Sequence, residues 1–146
     1  MPSSFEPTIV MVTRTVVHFE IPAGELESLS KFYKDVFGWK FSRAPIPDME
    51  YWLISTGPTG KSVPGGMYKK MHAQDAPRNF IAVDKIDDVI VAFKTAGGKE
   101  IMGKQEVPNV GFTFIGADPE GNVIGLHQPT RKTRRAPAKP KKKSRK

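Results

Sequence analysis

The sequence has no cysteine among its 146 residues, and it has only three histidines and two tryptophans. The absence of cysteine excludes disulfide bonds, zinc–thiolate sites and a cysteine nucleophile. Long apolar runs are also missing, since the strictly apolar run near the start extends only from Ile9 to Val12. Such a run is far too short to span a bilayer or to form the core of a secretion signal. We therefore expect a soluble, cytoplasmic protein that does not associate with membranes.

Acidic residues are absent from the C-terminal segment, and this changes how the net charge of +8 is interpreted. Arg131–Lys146 holds ten of the 23 basic residues, so residues 1–130 carry 13 basic against all 15 acidic side chains, a formal charge of −2. The segment also lacks large apolar side chains, and we expect residues 130–146 to form a disordered Lys/Arg-rich tail. Clustered basic residues predict non-specific contact with nucleic acid or other polyanions, or a solvated extension that helps solubility.

The residues between an N-terminal extension (1–12) and the tail have the order of a duplicated unit. A strand, a helix and three short strands are predicted twice, at an offset of about 60 residues. The first helix, over residues 25–37, is predicted from apolar side chains on one face, Leu26, Leu29, Phe32, Tyr33 and Val36. The second is predicted over Asp87–Ala96. The predicted strands are Thr15–Ile21, Trp39–Phe41, Tyr51–Ser55, Gly65–Tyr68, Asn79–Asp84, Glu100–Met102, Gly111–Ile115 and Val123–His127.

This order predicts an α+β fold built from paired βαβββ modules, with mixed, curved sheets around a shared cavity. Module one spans about residues 13–69, a linker spans 70–77, and module two spans about 78–129. Together the modules form one domain over residues 13–129.

Alternation along the strands indicates which side chains face away from the helices. Phe19 belongs to the apolar, helix-facing side of the first strand, so His18 and Glu20 point to the opposite face. Arg78 in the fifth strand and His127 in the last strand have the same parity. We predict that His18 and Glu20 form a catalytic acid–base pair and that Arg78 contacts an anionic ligand. The alternatives are a structural histidine and an Arg78–Glu20 ion pair.

Aromatic and apolar side chains on the strands would supply the walls of a ligand site where they face inward. These are Tyr51, Trp52, Met67, Tyr68, Phe112 and Phe114. We predict Tyr51, Trp52 and Phe112 as ligand-binding residues, with His127 as a further polar group at the rim.

Three segments of the chain resemble a known family. They are His18-Phe-Glu-Ile-Pro22, the helix end Phe32-Tyr-Lys-Asp-Val-Phe-Gly-Trp39, and Asp118-Pro-Glu-Gly-Asn-Val-Ile-Gly-Leu126. The sequence resembles the glyoxalase/bleomycin-resistance/extradiol-dioxygenase group, or vicinal oxygen chelate (VOC) superfamily, over roughly residues 13–129. Within it, the branch of predicted enzymes related to lactoylglutathione lyase is the most similar. The resemblance implies the paired βαβββ fold, whereas members of the fold differ in reaction.

In metal-dependent members of this family, four strands each supply a histidine or glutamate ligand to one metal ion. By resemblance, His18 occupies the first-strand ligand position. The other three positions hold Arg78, Gly125 and a residue of the segment Gly65–Tyr68, none of which is a histidine or carboxylate. We therefore expect no metal and no other cofactor. The alternative is a weak divalent-metal site formed by His18, Glu20 and His127.

These observations lead to three hypotheses of function. The first is a lyase- or isomerase-like enzyme that binds a small polar or anionic molecule between its modules without the usual metal site. The second is a non-catalytic small-molecule or drug-binding protein, similar to the bleomycin-resistance members. The third is a polyanion-associated module that binds through Arg131–Lys146. A symmetric homodimer is the expected assembly.

Overall fold

The computed structural model of the protein describes residues 14–130. The N-terminal extension and the basic tail predicted from the sequence lie outside these residues. The described elements follow the order β1 (Val16–Ala23), α1 (Leu26–Phe37), β2 (Lys40–Arg43), β3 (Tyr51–Ser55), β4 (Gly65–Lys69), β5 (Arg78–Ala82), α2 (Ile86–Thr95), β6 (Lys99–Val107), β7 (Gly111–Ala117) and β8 (Val123–Pro129). The α+β class and the repeated βαβββ order are confirmed. Neither helix within residues 14–130 is long and apolar enough to cross a membrane.

The chain divides into two compact units, and the boundary falls within β5. Val16–Phe80, here called the N-terminal unit, has the strand order β2-β3-β4-β1, in which β1 and β4 are parallel and the other pairs are antiparallel. The described part of the other unit, here called the C-terminal unit, comprises residues 14–15 and 81–130. Its strands β6, β7 and β8 form an antiparallel sheet.

The core of the N-terminal unit lies between α1 and one face of its strands. Ile54 and Met67 are fully buried there, and Phe19 and Ile21 of β1 pack against them. The predicted alternation of β1 is therefore confirmed, because two of its apolar side chains lie on the helix side. Burying each such side chain contributes about 1.5–3 kcal/mol. A shift of β1 by one residue would expose these side chains and is therefore strongly disfavoured.

The predicted apolar stripe of α1 is only partly correct. Leu26 is buried, and Leu29 and Tyr33 pack on the core, whereas Phe32 and Val36 remain 52% and 55% exposed. The helix turns about 100° per residue, so these two side chains lie on the flank of the stripe rather than at its centre. Ser30 is buried in their place, and its hydroxyl donates to the carbonyl oxygen of Glu27.

The C-terminal unit has its own core on the α2 side of its sheet. Val83, Ile86, Phe114 and Leu126 are buried there, and α2 packs against them with the predicted side chains Val89, Ile90 and Phe93. Gln128 of β8 accepts a hydrogen bond from the backbone N–H of Ile86 through its side-chain oxygen, which caps the first turn of α2. The sequence analysis missed this cap because the two residues are 42 positions apart.

Strand β6 is much longer than predicted, since it extends from Lys99 to Val107 rather than over three residues. Its pairing with β7 shifts register between Glu100 and Met102 and again between Met102 and Gln105. These irregularities break the alternation on which a strand prediction depends. Hydrogen bonds to β7 maintain the strand despite its polar sequence.

Candidate functional site

Four polar side chains of the N-terminal unit form a continuous hydrogen-bonded chain. His18 Nε2 lies 2.8 Å from the Tyr51 hydroxyl oxygen. That hydroxyl donates over 2.8 Å to Oε2 of Glu20, and Arg78 donates from Nε over 2.9 Å to the other carboxylate oxygen, Oε1. The chain, here called the polar tetrad, joins three strands and lies within Val16–Phe80.

Strand β1 contributes two of the four residues of the polar tetrad, and its alternation explains why both lie on the same face. His18 and Glu20 are two residues apart on one strand, so both side chains point away from the core that Phe19 contacts. On the same face, His18 meets Phe80 of β5 edge to face, with ring centroids 5.7 Å apart. His18 and Glu20 therefore share one face of β1, as its alternation predicts, whereas their catalytic role stays a prediction.

Tyr51 reaches this face because β3 and β4 pair in a particular register. Tyr51 lies opposite Tyr68, and Glu20 of β1 lies opposite Gly66 of β4. The Tyr51 ring crosses Gly66 so closely that a β-carbon at position 66 would overlap the hydroxyl group. Glycine is therefore required at this position for the Tyr51 hydroxyl to reach between His18 and Glu20.

Arg78 and Glu20 form a salt bridge that is largely withdrawn from solvent. Nη2 of Arg78 lies 2.8 Å from Oε1 of Glu20, and the two side chains are 18% and 12% exposed. Of the two interpretations that the sequence left open for Arg78, the structure shows the ion pair. Within the tetrad, the positive charge of Arg78 is thus compensated by Glu20.

The direction of the hydrogen bonds follows from the protonation state of Tyr51. Burial, and next the negative charge of Glu20, raise the pKa of Tyr51 far above its ordinary value, so the hydroxyl keeps its proton. This one proton is donated to Glu20, whose carboxylate can only accept. His18 must therefore donate from Nε2 to the Tyr51 oxygen. The network thereby assigns the Nε2–H tautomer to neutral His18, with its lone pair on Nδ1.

Trp52, Phe112 and His127 are not part of the polar tetrad. Trp52 follows Tyr51 directly, so its side chain lies on the opposite face and packs against the core. Phe112 packs against the core of the C-terminal unit beside α2. The structure thus places both aromatic side chains against helix-covered cores, and their predicted role in ligand binding stays a prediction. His127 lies in β8 opposite Thr113 of β7, on the face away from that core. Burial lowers the pKa of His127.

Tyr68 differs from the other aromatic residues that the sequence suggested as walls. It is only 6% exposed, and its hydroxyl has no hydrogen-bond partner among residues 14–130. The guanidinium carbon of Arg78 lies 4.8 Å from the centre of the Tyr68 ring, which is a cation–π contact. An unsatisfied buried hydroxyl costs about 1–3 kcal/mol of stability. No local signal in the sequence distinguishes this tyrosine from an ordinary core residue.

The residues present do not fit the four-ligand metal site of the family that the sequence resembles. Residues 14–130 contain no group of three or more histidine, aspartate or glutamate side chains that could hold a metal ion. Glu20 is already bound to the cation of Arg78 and to the Tyr51 hydroxyl. A divalent ion at Glu20 would have to displace Arg78, and the guanidinium would repel it.

Comparisons with known proteins show the family to which the chain belongs. A glyoxylase-like domain-containing protein of Didymella fabae is 33% identical over 119 residues, which cover 73% of this chain and 88% of that protein. The chain belongs to the glyoxalase superfamily. The family described as bleomycin resistance protein-like N-terminal matches residues 15–57 of this glyoxalase-superfamily protein. That segment contains three members of the polar tetrad, His18, Glu20 and Tyr51.

Solved structures support the same fold for this glyoxalase-superfamily protein. Methylmalonyl-CoA epimerase from Mycobacterium tuberculosis superposes with a TM-score of 0.62 at 15% identity, covering 86% of this chain and 97% of the epimerase. A glyoxalase/bleomycin resistance protein/dioxygenase superfamily member from Vibrio splendidus has a TM-score of 0.56 at 14% identity, covering 75% and 95% of the two chains. At these identities the likeness concerns the fold alone. These structures confirm the predicted fold, and the relative from Didymella fabae confirms the predicted superfamily.

Proposed function

We propose that this protein binds a small polar molecule on the face of the N-terminal unit that carries the polar tetrad, and that His18 exchanges a proton with it. The hydrogen-bonded chain from His18 through Tyr51 to Glu20 carries this proposal. Histidine is the side chain whose ordinary pKa lies nearest neutral pH, which suits it to acid–base chemistry. Tyr51 and Glu20 support the chemistry by orienting the imidazole ring.

The proposed step is a reversible proton transfer that needs no metal or redox partner. The neutral imidazole of His18 takes a proton from a carbon atom next to a carbonyl group of the ligand, and the electron pair left behind spreads onto the carbonyl oxygen. The imidazolium then returns the proton to the ligand. Throughout the exchange the Tyr51 hydroxyl oxygen accepts from His18 Nε2 and holds the imidazole ring in place, because Nε2 carries a proton in both states of the ring.

Deuterium exchange tests this proposal without knowledge of the natural substrate. The full-length protein is incubated in D₂O with a panel of small ketones, aldehydes and 2-oxo acids, and proton NMR follows the loss of C–H signals. We expect exchange of at least one compound to be accelerated by the wild type and not by His18→Gln. His72→Gln is the matched control, because His72 lies on an exposed turn outside the tetrad. Equal exchange by the wild type and His18→Gln contradicts the catalytic role.

A non-catalytic binding protein is the second candidate function. The match to the bleomycin resistance protein-like family over residues 15–57 favours it, because that match covers most of the tetrad. Under this proposal the tetrad is a rigid polar surface that contacts the ligand, and the protein binds the ligand without a reaction. Ligand-induced NMR shifts at His18 with no deuterium exchange by any variant would support binding over catalysis.

A further inference from the structure

The buried hydroxyl of Tyr68 has no hydrogen-bond partner within residues 14–130. It lies on the face of the N-terminal unit that carries the polar tetrad, here called the tetrad face. Buried hydroxyl groups are almost always hydrogen-bonded, so an unsatisfied one requires an explanation, such as a functional role or a bound water or ion. Phenylalanine would fill the same space without burying an unsatisfied group. Two further buried side-chain atoms lack a partner within residues 14–130, Trp52 Nε1 and His127 Nε2. Trp52 packs against the core, and His127 belongs to the C-terminal unit. Of these three residues, Tyr68 is the one that lies within the N-terminal unit on the tetrad face.

The surroundings of Tyr68 supply a second group that can bind a ligand. Tyr68 lies directly opposite Tyr51 in the β3–β4 pair, so both side chains are on the tetrad face. Arg78 lies over the Tyr68 ring and donates Nε and one Nη2 hydrogen to Glu20. Arginine has five N–H donors, so Arg78 has further N–H groups beside those that bind Glu20. The unsatisfied Tyr68 hydroxyl therefore lies next to N–H groups of Arg78 that are not bound to Glu20.

The net charge of the Arg78–Glu20 pair determines which ligand group can bind beside Tyr68. Glu20 compensates Arg78, so the pair has no net charge. A ligand carboxylate or phosphate bound to Arg78 would also lie close to the Glu20 carboxylate, which repels it. A carbonyl oxygen accepts from the same donors without this repulsion.

We propose that the Tyr68 hydroxyl and the remaining N–H groups of Arg78 form a subsite for an uncharged oxygen acceptor, such as the carbonyl oxygen of an amide or ketone. The inference rests on the proposed function, because it identifies a group of the ligand bound on the tetrad face. The acceptor then lies beside Arg78, which is the last member of the hydrogen-bonded order His18–Tyr51–Glu20–Arg78. Tyr68 thereby becomes a binding residue.

Acetamide and acetate test the subsite, because they have nearly the same shape and differ in charge. Both probes are titrated into the isotope-labelled full-length protein, and NMR shift changes give the affinities. The variants are Tyr68→Phe and the matched control Tyr33→Phe, which removes a tyrosine hydroxyl from the helix side of the same unit. Thermal unfolding of each variant is measured in parallel.

We expect the wild type to bind acetamide more tightly than acetate. Tyr68→Phe should weaken acetamide binding about tenfold, the worth of one good hydrogen bond, while its unfolding temperature stays equal or rises. Tyr33→Phe should leave the acetamide affinity unchanged. Equal acetamide affinity in the wild type and Tyr68→Phe, tighter binding of acetate, or no binding of either probe by the wild type overturns the subsite. A lower unfolding temperature of Tyr68→Phe also overturns it, because the hydroxyl would then have a partner within the protein.

The two proposals fail in different ways. If His18→Gln abolishes deuterium exchange and Tyr68→Phe leaves acetamide affinity unchanged, the subsite is wrong and the proposed function stands. If His18→Gln exchanges deuterium as the wild type does and Tyr68→Phe loses acetamide affinity, the subsite stands and the catalytic role of His18 is wrong.

Discussion

The Tyr51 ring lies across the α-carbon of Gly66, in the space that a β-carbon at position 66 would occupy. This close approach brings the Tyr51 hydroxyl to 2.8 Å from both His18 Nε2 and Glu20 Oε2. A residue with no functional group of its own thus determines whether the polar tetrad forms.

Replacing Gly66 with alanine should therefore displace Tyr51 and break the connection between His18 and Glu20. We expect a loss of about 1–3 kcal/mol in the free energy of unfolding, as for other substitutions that overfill a packed site. The NMR signals of the His18 ring should shift at the same time. Gly24→Ala is the control, because a β-carbon at position 24 has no atom within 4 Å. Gly66→Ala with wild-type stability and an unshifted His18 ring would show that Tyr51 is not held in this way.

Tyr51→Phe should destabilise the protein, in contrast to the same change at Tyr68. Removal of the Tyr51 hydroxyl leaves Glu20 Oε2 and His18 Nε2 without this partner, at a cost of about 1–3 kcal/mol. Denaturant unfolding of both variants measures the difference. If Tyr51→Phe proves as stable as the wild type, the hydroxyl bridge does not contribute to folding.

Glu20→Gln should cost about 3 kcal/mol, because it leaves the positive charge of Arg78 buried and uncompensated. This value is at the low end for buried pairs, since Arg78 retains 18% exposure. The double variant Glu20→Gln/Arg78→Met should recover part of the loss. A double-mutant cycle from unfolding curves measures the coupling, and strictly additive losses would contradict it.

A surface ion pair provides the control for this cycle. Lys31 and Asp35 lie 2.6 Å apart, but their side chains are 74% and 60% exposed. Asp35→Asn should change the unfolding free energy by less than about 1 kcal/mol.

The stability of the protein should fall as the pH drops below the ordinary histidine value of 6.5, in part because of His127. Burial lowers the pKa of His127 in the folded protein, so the unfolded chain binds a proton more readily. This contribution to stability is fully present above about pH 6.5. It is lost as the pH falls through the lower pKa that His127 has in the folded protein. His127→Phe should flatten the pH dependence of unfolding between these two values. His72→Asn, in an exposed turn, should leave it unchanged, and an equally steep curve for His127→Phe would contradict the assignment.

The prediction for the basic tail can be tested by truncation. A variant that ends at Thr130 loses ten basic residues and has a formal charge of −2. We expect the full chain to bind duplex DNA at low salt, with an affinity that falls steeply as salt rises, and the truncated chain not to bind. Retained DNA binding by the truncated chain would assign the contact to residues 1–130 instead.

Most elements could be predicted from the sequence because their patterns are local. The alternation in β1 and the side chains Val89, Ile90 and Phe93 of α2 identified the correct faces. The prediction failed for Phe32 and Val36, because the width of the helical face that the sheet covers depends on the sheet itself. It failed for most of β6, because register shifts interrupt the alternation there.

The candidate site was predicted less completely than the fold. The sequence identified His18 and Glu20 as neighbours on one face, and it left Arg78 between an anion contact and an ion pair. It grouped Tyr51 with Trp52 as ligand-binding walls, although adjacent strand residues point to opposite faces. The structure shows Tyr51 acting through its hydroxyl and Trp52 in the core.

The sequence by itself determined which side chains share a face, because that depends on the two-residue period of each strand. It also determined the family, through local segments such as His18-Phe-Glu-Ile-Pro22. Only the tertiary structure decided which of those side chains meet. Tyr51 and Glu20 are 31 residues apart, and Arg78 and Glu20 are 58 apart. Strand register brings these pairs into contact, and register depends on the packing of the whole sheet rather than on any single segment.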